Sequence, residues 1–380
     1  MSDDLTLQEK IQGSSFHIGD DDIPTNRIFS PPIQKAYSIA PLLVNEASKT
    51  WFVHINDSTE MHGLLAPKIQ GACEDAPPLG IVGQFRSQQS AVLSVMDGMG
   101  GAGAGQVNVD LPSAKFSTTE ALIASRSVRD TVLKQVLSGR RSSADKLGKS
   151  ITDDLEKIDE ACKISSSSKI RGTLTKRLPT TLLVAKTERF QQKPILMRID
   201  FWWAGDSRAF LIQPNAGLAA LTRDHVLPSD ALEQLRTDPP IQNTISSSVP
   251  FSIQHGAIGV PGPFLLLLAS DGVFGYLPTP GMLELGILEA LQKPVEDFAL
   301  NLMNFCGAYA ADDVSAAILT HNIFNNDEVL VGFSTRLEIL RERYGFLREL
   351  DTSSQEYSAE VNRLWDLERP QYERIVGNAE

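Results

Sequence analysis

Cysteine is scarce in this 380-residue chain: three residues, Cys73, Cys162 and Cys306, far apart and odd in number. No CxxC pair and no Cys/His metal spacing occurs, which argues against a disulfide framework and a zinc site. Basic residues are outnumbered, 35 Lys and Arg against 47 Asp and Glu, for a net charge of -12. A nucleic-acid or anionic-membrane surface needs a clustered basic face, so neither partner is expected. Long apolar runs are missing too. The longest, FLLLLA at 264–269, is far short of a membrane span. The opening MSDDLTLQEK has neither the basic nor the apolar segment of a secretory leader, so a cytoplasmic protein is expected. His17, His54, His62, His255 and His321 share no spacing and receive no role.

What is present is an ordinary globular composition, 42% hydrophobic and 22% charged, with ample chain for a core. Residues 1–35 are polar, broken by GDDDIP and SPP, and read as a loose lead-in whose acidic 20–22 cluster is a solvated turn. Strand-like runs follow at 51–55, 79–85 and 91–96. Two helical patterns come next, over 118–137 and then through Leu147, Ile151, Leu155, Ile158 and Cys162, before a Ser-rich break at 165–172. Strand runs then return, TTLLVA, ILMRIDFWWA, RAFLI, FLLLLAS and VSAAILT, with a helical pattern over 295–309. Strands, two long helices and strands again imply sheets covered by helices, without strict βαβ alternation. Beyond 326 a helical stripe of Leu337, Leu340, Tyr344 and Leu347 precedes a second helix, with Ser353 and Glu356 at capping-box spacing. This hairpin packs on the main domain or offers a dimer or partner surface.

The stretch SVMDGMGGAGAG at 94–105 poses the functional question. Gly98, Gly100 and Gly103 satisfy GxGxxG, a phosphate-cradling pattern, yet Asp97 stands at the mouth of the loop. Asp271 likewise ends an apolar run and is followed by glycine; Asp312 and Asp313 precede another, and Glu74 and Asp75 precede a third. Carboxylates converging at sheet edges form an oxygen cage suited to Mg²⁺ or Mn²⁺, and their mutual repulsion calls for such ions.

These residues carry a resemblance. ACEDA is similar to the NED segment of the metal-dependent Ser/Thr protein phosphatases (PPM, type 2C), VMDGMGG to DGxGG, and PTTLLVA to GTT. WAGDSRAFLI resembles GDSR, LTRDHVL the LTxDH stretch, LLLASDGVFGYL the SDG motif and ADDVSAAIL the closing DNxT, all in family order over roughly 66–320. The resemblance implies an α+β fold, a four-layer α/β/β/α sandwich of two antiparallel sheets flanked by helical pairs. Its bounds are 36–325, with the lead-in at 1–35 and a C-terminal helical extension at 326–380. It also implies a two-ion Mn²⁺ or Mg²⁺ centre. By residue match Asp97 bridges both ions with the Gly98 carbonyl on one. Asp271 and Asp312 hold one ion, Asp75 holds the other, and Glu74 acts through water. A hydroxide shared by the ions then attacks phosphoserine or phosphothreonine in a phosphoprotein substrate. Met99 stands where eukaryotic members carry a histidine.

Departures accompany the match. Gln70 occupies the place of a phosphate-binding arginine, with Lys68 two residues earlier as a substitute; Cys73 replaces Asn, and Pro179 a glycine. Lys176 and Arg177 stand where many members have an acid for a third ion, which argues against a third site of the usual kind. In GDSR and LTRDH, Asp206, Arg208 and His225 are read as structural. Two rival functions remain. A pseudophosphatase would keep the fold as a binding or regulatory module, as Gln70 favours. A dinucleotide-binding oxidoreductase would rest on GMGGAG alone and needs a helix starting within the glycines.

Overall fold

The structure is a computed structural model and describes residues 49–69, 72–85, 88–100, 105–111, 114–137, 143–162, 176–190, 196–214, 216–226, 232–234, 240–324 and 326–376. The lead-in, Gln70, the glycines at 101–104 and the Ser-rich stretch lie outside the described residues. The strands are β1 (Lys49–Asn56), β2 (Thr59–Ala66), β3 (Leu79–Phe85), β4 (Gln88–Val95), β5 (Gln106–Leu111), β6 (Ala114–Thr119), β7 (Leu182–Phe190), β8 (Leu196–Ala204), β9 (Arg208–Gln213), β10 (Gly217–Ala220), β11 (Gln254–Pro261), β12 (Phe264–Ala269) and β13 (Val314–His321). The helices are α1 (Glu120–Leu137), α2 (Ala144–Cys162), α3 (Asp271–Phe274), α4 (Pro280–Leu291), α5 (Phe298–Gly307), α6 (Asp327–Glu349) and α7 (Gln355–Tyr372).

Two antiparallel sheets face each other, one ordered β1-β2-β13-β12-β9-β10 and the other β11-β8-β7-β4-β3; β5 and β6 form a separate hairpin. Period-two alternation sorts the side chains. On β12, Leu266 and Leu268 meet Leu93, Leu183 and Phe201 between the sheets. Leu265, Leu267 and Ala269 point the other way, into the core shared with α4, α5, α6 and α7. Covered on both faces, the strand is apolar throughout, since no position on it reaches water. On the far side α1 and α2 lay Ile123, Val128, Val132, Ile151 and Leu155 over Val92, Leu182 and Val184. The layers are therefore helix, sheet, sheet, helix, as the resemblance implied.

Local chemistry sets the helix ends. Residues 118–119 complete β6, and the Thr119 hydroxyl accepts from Leu122 N at 3.2 Å, so α1 starts two residues later than its apolar period suggested. The stretch at 295–309 divides into a 3₁₀ turn, Val295–Asp297, and α5. The capping box expected from Ser353 and Glu356 is corrected: Ser354 is the N-cap, accepting from Tyr357 N at 3.0 Å, while the Ser353 hydroxyl donates to Asp351 at 2.9 Å. The Asx turn at Asp351 engages Ser353 and moves the cap one residue on.

The C-terminal hairpin packs on the main domain. Phe333, Leu337, Leu340, Tyr344 and Leu347 of α6 and Val361, Leu364 and Trp365 of α7 enter the core of the first sheet. Buried polar pairs fix its register: Arg336 binds both carboxylate oxygens of Glu284 on α4 and Oε1 of Gln371 on α7, and Tyr344 donates to Glu368.

Candidate metal centre

Strand pairing brings the acidic turns to one end of the sandwich. Val95 at the end of β4 pairs with Leu183 near the start of β7, and Leu182 pairs with Ala204 at the end of β8. In the other sheet Ala269 at the end of β12 pairs with Ala316 of β13 and Arg208 of β9, while Val314 pairs with Ala66 at the end of β2. Asp97, Asp206, Asp271 and Asp312 all lie within two residues of those ends.

Each backbone is tied down separately. The Asp97 amide donates to the Thr181 hydroxyl at 2.9 Å, and its carbonyl accepts from the Thr180 hydroxyl at 2.6 Å and from Thr181 N at 2.9 Å. Thr181 is linked in turn to Ser207, beside Asp206, at 2.7 Å. Asp75 accepts from the Ser315 hydroxyl at 2.6 Å and from Gly98 N at 3.4 Å. Glu74 is held through its backbone, its amide donating to Asp313 at 2.7 Å and its carbonyl accepting from Ser125 of α1 at 2.6 Å. The glycines after Asp97 and Asp271 have a steric reason: a Cβ on Gly98 would meet the Glu74 carbonyl oxygen, and one on Gly272 the Asp313 carbonyl oxygen.

Asp75, Asp206 and Asp271 all lie within electrostatic reach of Asp97. Burial holds the Asp97 carboxyl well above its ordinary value, and Asp75, Asp271 and Asp206 push it further; Asp271 is within hydrogen-bond reach of it. Burial likewise raises Asp75, with Asp313 and Asp271 adding, and raises Asp206, with Asp271 and Asp224 adding. Burial also raises Glu74, against a Thr119 hydrogen bond, with Asp313 and Asp312 adding. Among the described residues no three acids, histidines or cysteines close on one point as a finished cage. Like charges do not converge that far by themselves, and their mutual penalty is what a divalent cation relieves. The donors are oxygens throughout, which fits Mg²⁺ or Mn²⁺.

The residues expected at the site divide accordingly. Asp75, Asp97 and Asp271 come to the same end of the sandwich without closing on one point, and the Glu74 carbonyl lies against Gly98. Asp312 is exposed, its carboxylate accepts from Asp313 N at 2.8 Å, and its charge is felt by Glu74. Lys68 lies beyond the end of β2; its side chain is exposed and its amide donates to Asp313 at 2.7 Å. Arg208 does brace a turn, and His225 does as well, with its Nδ1 accepting from Gly205 N at 3.1 Å. Asp206 is different. Read as structural, it joins the acidic group; its place directly after a strand, like that of Asp97 and Asp271, was the signal. Asp313 acts through hydrogen bonds: its two oxygens accept from the amides of Lys68 and Glu74. The helix that a dinucleotide loop requires does not follow the glycines, since the β5–β6 hairpin intervenes and α1 begins at Glu120.

No family model matches the sequence, and no curated protein matches it. Solved structures to which it is similar include the catalytic domain of serine threonine protein phosphatase PstP in complex with two manganese ions (16% identity, 69% of this chain and 98% of that one, TM-score 0.45). Two others are the Mycobacterium tuberculosis serine/threonine phosphatase PstP/Ppp (15%, 70% and 99%, 0.47) and Stp1 from Staphylococcus aureus (18%, 73% and 96%, 0.45). At these identities the likeness assigns no chemistry to this chain.

Proposed function

We propose that this protein is a metal-dependent serine/threonine phosphatase of the PPM type, hydrolysing phosphoserine and phosphothreonine monoesters of phosphoproteins. The observation that carries the reading is the delivery of Asp75, Asp97, Asp206 and Asp271 from separate turns to one end of the sandwich, where burial and neighbouring carboxylates raise Asp75, Asp97 and Asp206. Two Mn²⁺ or Mg²⁺ ions bound there would supply Lewis acidity and a low-pKa water to a phosphomonoester. Asp97 with the Gly98 carbonyl, Asp271 with Asp312, and Asp75 aided through water by Glu74 would hold these ions. Thr180, Thr181 and Asp313 act on the backbone, keeping these acids in place before any ion arrives. Met99 has no proton to donate, so no side chain at its position serves as the general acid. Lys68, exposed and with its amide on the same Asp313 carboxylate as that of Glu74, is a cation for an incoming phosphate.

The reading is tested by hydrolysis of para-nitrophenyl phosphate and a phosphothreonine peptide with Mn²⁺, with Mg²⁺ and with EDTA. Turnover with either ion and none in chelator is expected; undiminished turnover in EDTA refutes the assignment. Gln70, in place of a phosphate-binding arginine, favours a second reading, a non-catalytic binding module. Mn²⁺ binding without hydrolysis of either substrate would select it.

A further inference from the structure

The C-terminal hairpin reaches the acidic end of the sandwich through one side chain. Tyr372, the last residue of α7, is buried, with its ring edge-on to Trp365 at 5.5 Å and 6.3 Å from Phe210. Its hydroxyl accepts from Nη1 of Arg208 at 3.1 Å. Arg208 is itself 3% exposed. Its Nε and Nη2 bind the two oxygens of Asp224 at 2.8 and 2.6 Å, and Nη2 also meets Gln234 at 3.0 Å. The guanidinium lies 4.5 Å over the Phe274 ring.

The position of this fork matters. Arg208 follows Asp206 by two residues, and Phe274 closes the single turn of α3 that Asp271 opens. One planar cation therefore touches both turns that carry these acids. Its remaining corner is filled by the hairpin, because the Tyr372 hydroxyl is the acceptor for Nη1 among the described residues. The hairpin's end is strapped alongside: Arg374 donates to the carbonyls of Gly217 and Leu218, and Arg223 donates to the carbonyl of Val376 at 2.8 Å.

We propose that Tyr372 is a positioning residue for the metal centre: by fixing the Arg208 fork it holds the turns bearing Asp206 and Asp271, which makes the C-terminal hairpin part of the centre. The inference rests on the phosphatase reading of that centre. Tyr372→Phe removes the hydroxyl and keeps the ring packing. Tyr344→Phe is its control, deleting an equally buried hydroxyl of the same hairpin that bonds Thr279 and Glu368 instead.

The test is calorimetric titration of the full chain and of both variants with Mn²⁺, a readout that does not depend on turnover. Tyr372→Phe is expected to weaken Mn²⁺ binding by about three- to tenfold, inside the range of about two- to thirtyfold found for residues coupled to a site at second hand. Tyr344→Phe is expected to leave it within about twofold, below that range. Wild-type affinity in Tyr372→Phe, or an equal loss in both variants, overturns the proposal while the phosphatase reading stands. No Mn²⁺ binding by the wild type overturns both. Should Tyr372→Phe lack a cooperative thermal transition, Arg208→Lys, which keeps the buried charge without the fork, is judged by the same criterion.

Discussion

Replacing Asp97 by Asn separates what the acidic group costs the fold from what it gives the chemistry. The backbone at Asp97 is held by Thr180 and Thr181, so the substitution leaves the loop where it is. The side chain changes from a half-buried carboxylate raised by desolvation, Asp75, Asp271 and Asp206 into a neutral amide. Its NH₂ then faces carboxylates that formerly repelled it. A hydrogen bond to a charged group is worth about 1.5–3 kcal/mol, and removal of one like charge acts in the same direction. Without metal, Asn at 97 is therefore expected to stabilise the protein by about 1–3 kcal/mol. Unfolding entropy near about 2.1 cal/mol/K per residue makes that roughly 1–4 °C in Tm for a chain of this length. Mn²⁺ reverses the order. At about 100 times Kd the wild type gains about 2.7 kcal/mol by linkage, roughly 3 °C, while the variant, with the bridging carboxylate gone, gains little. The assay is differential scanning fluorimetry of both proteins in EDTA and across a Mn²⁺ series, with para-nitrophenyl phosphate turnover measured in parallel. A crossing of the two Tm curves with loss of turnover is expected. An Asp97→Asn protein several degrees less stable in EDTA, or one with wild-type turnover and metal response, would refute the reasoning.

Other expectations follow from single contacts. Gln70→Arg is expected to lower KM for para-nitrophenyl phosphate and raise kcat/KM about tenfold, since a guanidinium binds phosphate through two charged hydrogen bonds. Lys68→Ala should cost activity in the wild type and less in the Gln70→Arg background; equal losses in both would remove Lys68 from phosphate binding. Arg336→Met leaves the buried Glu284 without its bidentate partner and is expected to cost about 3–5 kcal/mol, read by denaturant unfolding, with most of it recovered when Glu284→Leu is added. A neutral Arg336→Met would show that the clamp does not hold the hairpin. His62 is packed among Phe52, Phe298 and Phe324, and burial lowers its pKa to about 3. The folded state then refuses a proton that the unfolded chain accepts below about 6.5, so stability is lost as pH falls from 6.5 toward 3. His62→Leu should remove about 2 kcal/mol of the loss between pH 7 and pH 5. An unchanged pH slope in that variant would refute this placement of His62.

Much of the architecture was legible because burial on one face writes a period. The stripes of α1, α2 and α6 and the apolar runs of β4, β7 and β12 appear in the sequence as they stand in the fold. The elements that escaped are those without a one-sided face. In α4 nearly every residue is buried, so no 3.6-residue stripe exists, and β2 is likewise buried along almost its whole length. β11 alternates in burial, but with glycine on both faces and Ala257, Gly259 and Pro261 on the outer one it shows no apolar/polar alternation of residue types.

By itself the sequence determined the chemistry available at the site: carboxylates at strand ends, glycine where two backbones approach, and a net negative chain with no thiol or imidazole cluster. Those are properties of residue type and of neighbours in the chain, and they survive without coordinates. Only the tertiary structure decided which acids meet. Asp206 and Arg208 are two residues apart and read alike as turn braces, yet one faces Asp97 and Asp271 while the other turns to Asp224 and Tyr372. Asp312 and Asp313 are adjacent, yet one is exposed and the other pins the backbone of Glu74. The reason is physical: in the turn beyond a strand end the strand's alternation no longer dictates direction, and which side chain faces the acids depends on partner strands, turns and helices from elsewhere in the chain.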